Sequence, residues 1–165
     1  MKTRKLAILA IFIALMLVLG YIESLIPVAP AFPGVKLGLA NSVLVYILLM
    51  FGWKEALLLM FLKVVLSGLL FSGISGMLYA LSGGLLSMMA MIVICRVKGI
   101  SEVGISVTGA VMHNVGQMLI AILVGGTVGM AAYFPLLFVA AIIMGVATGF
   151  IAKILLKVVR YKNAH

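Results

Sequence analysis

Aspartate is missing from this chain altogether, and only Glu23, Glu55 and Glu102 carry negative side chains. Chemistry that needs paired carboxylates, or an acidic cage for Mg²⁺, has nowhere to sit. Cysteine occurs once, at Cys95, which rules out a disulfide framework and reads as a small apolar filler at a helix end. His113 has no second ligand near it in sequence and His165 is terminal, so no metal site is expected. Phosphate-binding loops and Ser or Cys nucleophile motifs are missing too. No enzyme activity and no cofactor are expected. Charge of either sign is scarce: 9% of the 165 residues, against about 25% in a globular chain.

What remains is hydrocarbon, 66% of the residues. The apolar runs are continuous and reach the roughly 20 residues a helix needs to cross a bilayer. Barrel strands would alternate apolar with polar residues instead, so the expected fold class is an all-α membrane protein. The net charge of +9 does not indicate nucleic acid. Its basic residues cluster at segment ends, and no basic stripe with interleaved aromatics occurs.

Read in order, the chain predicts a single domain of six spans over residues 1–165. After the basic start at Lys2, Arg4 and Lys5, the first span runs from Leu6 to Ile26. It exceeds the apolar core of a signal peptide, about 7–15 residues, and is expected to be retained. Pro27, Pro30 and Pro33 make 27–36 a stiff non-helical loop. Leu37 to Phe51 is the second span, closed by the interfacial cluster Gly52-Trp53-Lys54-Glu55. Ala56 to Phe71 follows, then a Gly- and Ser-rich break from Ser67 to Gly76 and a fourth span from Met77 to Cys95. Spans five and six cover about Val103–Val124 and Ala131–Leu156.

Six spans put both termini on one side. Of the 12 Lys and Arg residues, only Lys36 falls on the opposite side, and Lys63 lies inside span three. Excess Lys and Arg marks the cytoplasm. The expected topology therefore has both termini cytoplasmic, in the inner membrane, with loop 27–36 outside.

Polar residues inside such spans are the candidate site. A Lys at Lys63 costs about 2.5–3.5 kcal/mol on insertion scales, so it faces a cavity or snorkels to the surface. Ser67 lies one turn further along the same face. His113, Asn114 and Gln117 form one polar stripe on span five, either bonding helix to helix or contacting a ligand. Glu23, Lys36 and Asn41 form an outer group. Convergence of Lys36, Asn41, Lys63, Asn114 and Gln117 in one bundle predicts a site for an anionic small molecule. Ala7, Ala10 and Ala14 on span one, and Ala141, Gly145 and Gly149 on span six, make small-residue stripes. Each is either internal packing or a docking face for another membrane protein.

The stretches Pro33-Gly34-Val35-Lys36-Leu37-Gly38-Leu39-Ala40-Asn41 and His113-Asn114-Val115-Gly116-Gln117 resemble a bacterial family. Its members carry two labels, Gx transporter family and heptaprenyl diphosphate synthase component I. The resemblance covers essentially the whole chain. That family is similar in turn to the substrate-binding S components of energy-coupling factor (ECF) transporters, six-helix proteins with an outer ligand pocket closed by loops. In those proteins an Ala-x-x-x-Ala pattern on the first helix docks onto a transmembrane coupling subunit, and Ala10-Ile11-Phe12-Ile13-Ala14 matches it. The resemblance thus implies a complex with that subunit and two cytosolic ATPases. Loop 27–36 would close over the ligand, with Lys36 and Asn41 at the mouth and Lys63, Ser67, His113, Asn114 and Gln117 below. The second label implies an alternative, a non-catalytic membrane subunit of a heptaprenyl diphosphate synthase. Prenyl synthases hold their diphosphates through Mg²⁺ on Asp-rich motifs, which this chain lacks.

Overall fold

The computed structural model of the chain describes residues 2–25, 38–125 and 134–159. Long runs of Leu, Ile, Ala and Met without proline favour helix, and the described residues form no strand. In chain order the helices are α1 (Lys2–Leu25), α2 (Leu39–Phe51), α3 (Trp53–Ser67), α4 (Gly73–Ile94), α5 (Glu102–Gly125) and α6 (Phe134–Val158). A π-helical turn, Gly68–Ser72, joins α3 to α4. Loop 27–36, including Lys36, lies outside the described residues.

Two glycines make the sharp junctions. Only Gly52 separates α2 from α3, and its φ of 100° is one that side-chain-bearing residues rarely adopt. Gly73 has φ 68° and ends the π turn. The Gly- and Ser-rich break expected over residues 67–76 is therefore condensed into one π turn and one glycine, with α4 resuming at once. The chain does reverse there. The Met60 sulfur lies 2.8 Å from where a Cβ on Gly84 would be, although a continuous helix would separate these residues by about 36 Å.

α2 is the centre of the bundle. Ala40 and every residue from Ser42 to Leu48 are buried, so the helix is enclosed on all sides, as an apolar helix of uniform character should be. α1 contributes one stripe instead: Leu9, Phe12 and Met16 are buried. Phe12 meets Tyr46 at 5.2 Å and Phe51 at 6.3 Å between ring centroids. The Tyr46 hydroxyl donates to the Val159 carbonyl at 2.8 Å, tying α2 to the end of α6.

Glycines set the remaining spacings. A Cβ on Gly145 would sit 2.7 Å from the Val107 Cα, and one on Gly149 2.7 Å from the Val103 Cα. The small-residue stripe of α6 is thus internal packing against α5. The stripe on α1 is different: Ala7, Ala10 and Ala14 are all exposed.

The outside of the bundle is apolar, with Leu6, Ile11, Leu123 and Ile154 among many exposed large side chains. Such a surface suits lipid rather than water. Four stretches are long and apolar enough to cross a membrane: Thr3–Leu25, Trp53–Ile94, Glu102–Val124 and Phe134–Val158. Trp53–Ile94 is one apolar run of 42 residues that contains the α3–α4 reversal. α2 is apolar but shorter. At the start of α3, Lys54 lies 5.6 Å from the Trp53 ring centroid, and Glu55 pairs with Lys5 of α1.

Candidate functional site

A cavity of about 210 Å³ opens between the helices and is lined by residues from all six. The bundle leaves this space because small residues occupy its inner faces: Gly20, Gly76, Gly84, Gly109 and Ala110 all contribute to the wall. Of the residues singled out from sequence, Asn41, Lys63, Ser67, His113, Asn114 and Gln117 all line this one cavity. The seventh, Lys36, lies outside the described residues.

Each polar group is held by its own local geometry. Ser67 is buried, and its hydroxyl donates to the Val64 carbonyl at 3.1 Å. The Ser67 carbonyl in turn accepts from the Ser72 hydroxyl at 3.1 Å, a bond that spans the π turn. Asn114 serves α5 and α6 together: its side-chain amide donates to the Leu137 carbonyl at 2.9 Å, while the residue still borders the cavity. The helix-bonding reading of this residue and its place in the cavity wall hold at once. His113 and Gln117 lie over Gly83 of α4, where a Cβ would come within 2.9 Å of the imidazole and 3.0 Å of the Gln117 side chain.

Glu23 also borders the cavity, and its carboxylate accepts the Leu39 backbone N–H. A negative charge is favourable at a helix N-terminus, where the first backbone N–H groups have no partner within the helix. The end of α1 thereby orients the start of α2, which also carries Asn41 into the wall.

Sequence reasoning missed two further parts of the wall. One is a set of thioethers: Met16, Met60, Met88, Met91 and Met144. Their number in an apolar chain is an ordinary sign of core, and no periodicity marks them as a group. The other is Ser87, Ser106 and Thr148, all buried. Ser106 and Thr148 share a hydrogen bond of 2.9 Å between α5 and α6. Isolated hydroxyls in apolar helices commonly bond back to their own backbone, as Thr148 does to the Met144 carbonyl at 2.8 Å, so they carry little signal in sequence.

The wall therefore offers one ammonium, one carboxylate, three amides, an imidazole and several hydroxyls around polarizable methionines. It can hold a small polar or charged group by hydrogen bonds and place an apolar part against sulfur. Among the described residues no cluster of three or more His, Cys, Asp or Glu side chains could hold a metal ion. No buried side-chain nitrogen or oxygen among them lacks a hydrogen-bond partner.

The chain belongs to the heptaprenyl diphosphate synthase component I family, whose model matches residues 12–155. No curated protein and no solved structure matches it.

Proposed function

We propose that this chain is a substrate-binding S component of an ECF-type importer, a multi-pass protein of the inner membrane that captures a small anionic metabolite from outside. The observation that carries this reading is the convergence of Asn41, Lys63, Ser67, His113, Asn114 and Gln117 on one cavity. The four helices on which they and Glu23 stand, α1, α2, α3 and α5, contribute these polar groups although each is apolar overall. Polar side chains inside a membrane are costly and are retained where they bind or conduct something.

In this reading all six helices cross the bilayer. The α3–α4 reversal divides the 42-residue apolar run Trp53–Ile94 into two crossings. Lys5, Lys54, Arg96, Lys98, Lys153 and Lys157 then fall on the cytoplasmic side with both termini, in accord with the positive-inside rule. Lys63 is the counter-charge for the ligand, and Asn114 and Gln117 orient it. The exposed face of Ala7, Ala10 and Ala14 admits a close helix–helix contact, which suits docking to a transmembrane coupling subunit served by two cytosolic ATPases.

The family match supports a second reading, a non-catalytic membrane subunit of a heptaprenyl diphosphate synthase. Without any Asp, this chain would leave the Mg²⁺-dependent step to a soluble partner. Affinity purification of the tagged chain from its native membrane, followed by mass spectrometry, separates the two. Recovery of a membrane coupling subunit with two ATPases supports the importer. Recovery of a soluble, Asp-rich prenyl synthase without them overturns it in favour of the second reading.

A further inference from the structure

Phe71 lines two hollows at once. It borders the central cavity, and it also borders a groove of about 330 Å³ on the outside of the bundle, formed with Leu17, Val18, Tyr21 and Leu70. Its ring meets the Tyr21 ring edge-on, with centroids 5.7 Å apart and planes at 64°. Its tip rests over Gly20, where a Cβ would come within 3.9 Å. At this seam between α1 and the π turn, Phe71 is the residue that the linings of the two spaces share.

The backbone that carries Phe71 is not regular helix. The Gly73 N–H donates to the Gly68 carbonyl across five residues, and Gly73 itself takes a left-handed φ with no atom near its open side. Turns of this kind recur at functional sites because they re-aim a side chain out of the α-helical register. Around the turn, Leu69 and Ile74 are each 77% exposed. Counted from the Trp53–Lys54 anchor, Phe71 lies about 27 Å along the helix at 1.5 Å per residue. That distance is within the ~30 Å hydrocarbon layer, so the groove faces acyl chains.

Size gives a second argument. The cavity, about 210 Å³, is smaller than the common range of about 300–1,000 Å³ for ligand pockets. It corresponds to about seven water volumes at about 30 Å³ each. That is room for a head group and a few carbons. The groove is wholly apolar in its side chains apart from the Tyr21 hydroxyl, whereas the cavity carries Lys63, Asn41 and Gln117.

We propose that the α1–π-turn seam is a lateral portal, and that the ligand is a bilayer-dissolved amphiphile. Its anionic head sits in the cavity near Lys63, and its apolar chain passes Phe71 into the outer groove. Phe71 and Tyr21 are the gate, and Gly20 keeps the passage free of a side chain. The inference rests on the cavity's being a ligand site, and it differs from the importer reading in the route and in the chain it assigns to the ligand.

The test uses the full chain in phosphatidylcholine nanodiscs, with empty nanodiscs as background. Radiolabelled dodecyl phosphate and inorganic phosphate serve as membrane-borne and aqueous probes of the same anionic chemistry. Dodecyl phosphate is expected to bind at least tenfold more tightly than inorganic phosphate, and Lys63→Met to abolish its binding. Gly20→Leu, which fills the passage, is expected to slow dodecyl phosphate association at least tenfold, and Phe71→Ala to speed it. A second closure, Tyr21→Cys with Phe71→Cys bridged by a bifunctional thiol reagent in a Cys95→Ser background, is expected to reproduce the slowing and to reverse on reduction. The unbridged form controls for folding. Equal affinity for both probes, no binding of dodecyl phosphate, or an association rate unchanged by the bridge overturns the portal. Inorganic phosphate binding that is lost in Lys63→Met would leave the cavity as a site while the portal falls. Failure of both probes leaves the importer reading to the affinity purification above, which does not depend on them.

Discussion

Gly83 of α4 and Gly116 of α5 face each other so closely that neither has room for a side chain. A Cβ on Gly116 would lie 2.8 Å from the Gly83 Cα and 2.6 Å from the Ser82 carbonyl oxygen. The Ser82 hydroxyl donates to the Gly116 carbonyl at 2.6 Å at the same crossing. Small residues let helix backbones approach in this way, and in a membrane such packing largely replaces the hydrophobic drive. The crossing also sets where His113 and Gln117 meet the cavity wall.

Gly116→Ala is therefore expected to destabilise the protein by about 1–3 kcal/mol, the usual range for overpacking, because the atoms it meets are backbone and cannot turn aside. Gly84→Ala is the internal comparison. Its nearest neighbour is the flexible Met60 thioether, so its effect should be clearly smaller. Thermal unfolding of both variants in detergent checks the order; equal losses would show that the α4–α5 crossing is not the rigid one.

Lys63→Met should abolish binding of the anionic metabolite while leaving the protein folded. The half-buried ammonium within an apolar helix is costly to insert, about 2.5–3.5 kcal/mol, so its removal should not lower the unfolding temperature. Lys63→Arg keeps the charge and is expected to retain part of the affinity. Titration calorimetry with the metabolite recovered from the native membrane reads both. Unchanged affinity in Lys63→Met would remove this residue from the site.

Asn114→Leu should weaken both stability and binding, since the amide bonds to the Leu137 carbonyl and borders the cavity. Inter-helix hydrogen bonds of this kind contribute about 0.6 kcal/mol on average in membrane proteins, and at most about 1.7. A stability loss in that range with more than tenfold weaker binding is the expected outcome. Lost stability with intact affinity would assign Asn114 to packing alone.

Ala14→Trp adds bulk to an exposed position on α1, away from the buried stripe of Leu9, Phe12 and Met16. It should block assembly with the membrane partner and spare ligand binding. Co-purification and binding measured on the same preparation check this. An intact complex would show that the alanine face faces lipid only.

Tyr46→Phe removes one hydrogen bond, from α2 to the Val159 carbonyl, and leaves that acceptor near the end of α6. A loss of about 0.5–1.5 kcal/mol is expected. Because Tyr46 does not border the cavity, ligand affinity should hold; a large drop would mean that α2 transmits strain from the α6 end to Asn41.

Much of this protein was legible before any coordinates. Continuous apolar runs without alternation can only be helices in a bilayer, because every backbone polar group must be satisfied within its own segment. The same cost argument marked Lys63, Asn114 and Gln117: a polar side chain among hydrocarbon must find a cavity or a partner. Individual residue chemistry, read against a uniform apolar background, was enough to pick them out. It was also enough to place Gly52 and the Gly- and Ser-rich stretch at the breaks between helices.

Tertiary structure alone decided what depends on which faces meet. The two small-residue stripes look alike in sequence, yet Gly145 and Gly149 are sealed against α5 while Ala7, Ala10 and Ala14 stay exposed. Nothing in the spacing of either stripe encodes the rotation of its helix about its own axis. The methionine wall and the Ser106–Thr148 bond arise from helices far apart in sequence, where no local pattern links the residues. Phe71 is one apolar residue among many along the chain. Only the fold, with a π turn next to Gly73, sets its ring against Tyr21 and over Gly20, where it borders both the cavity and the outer groove.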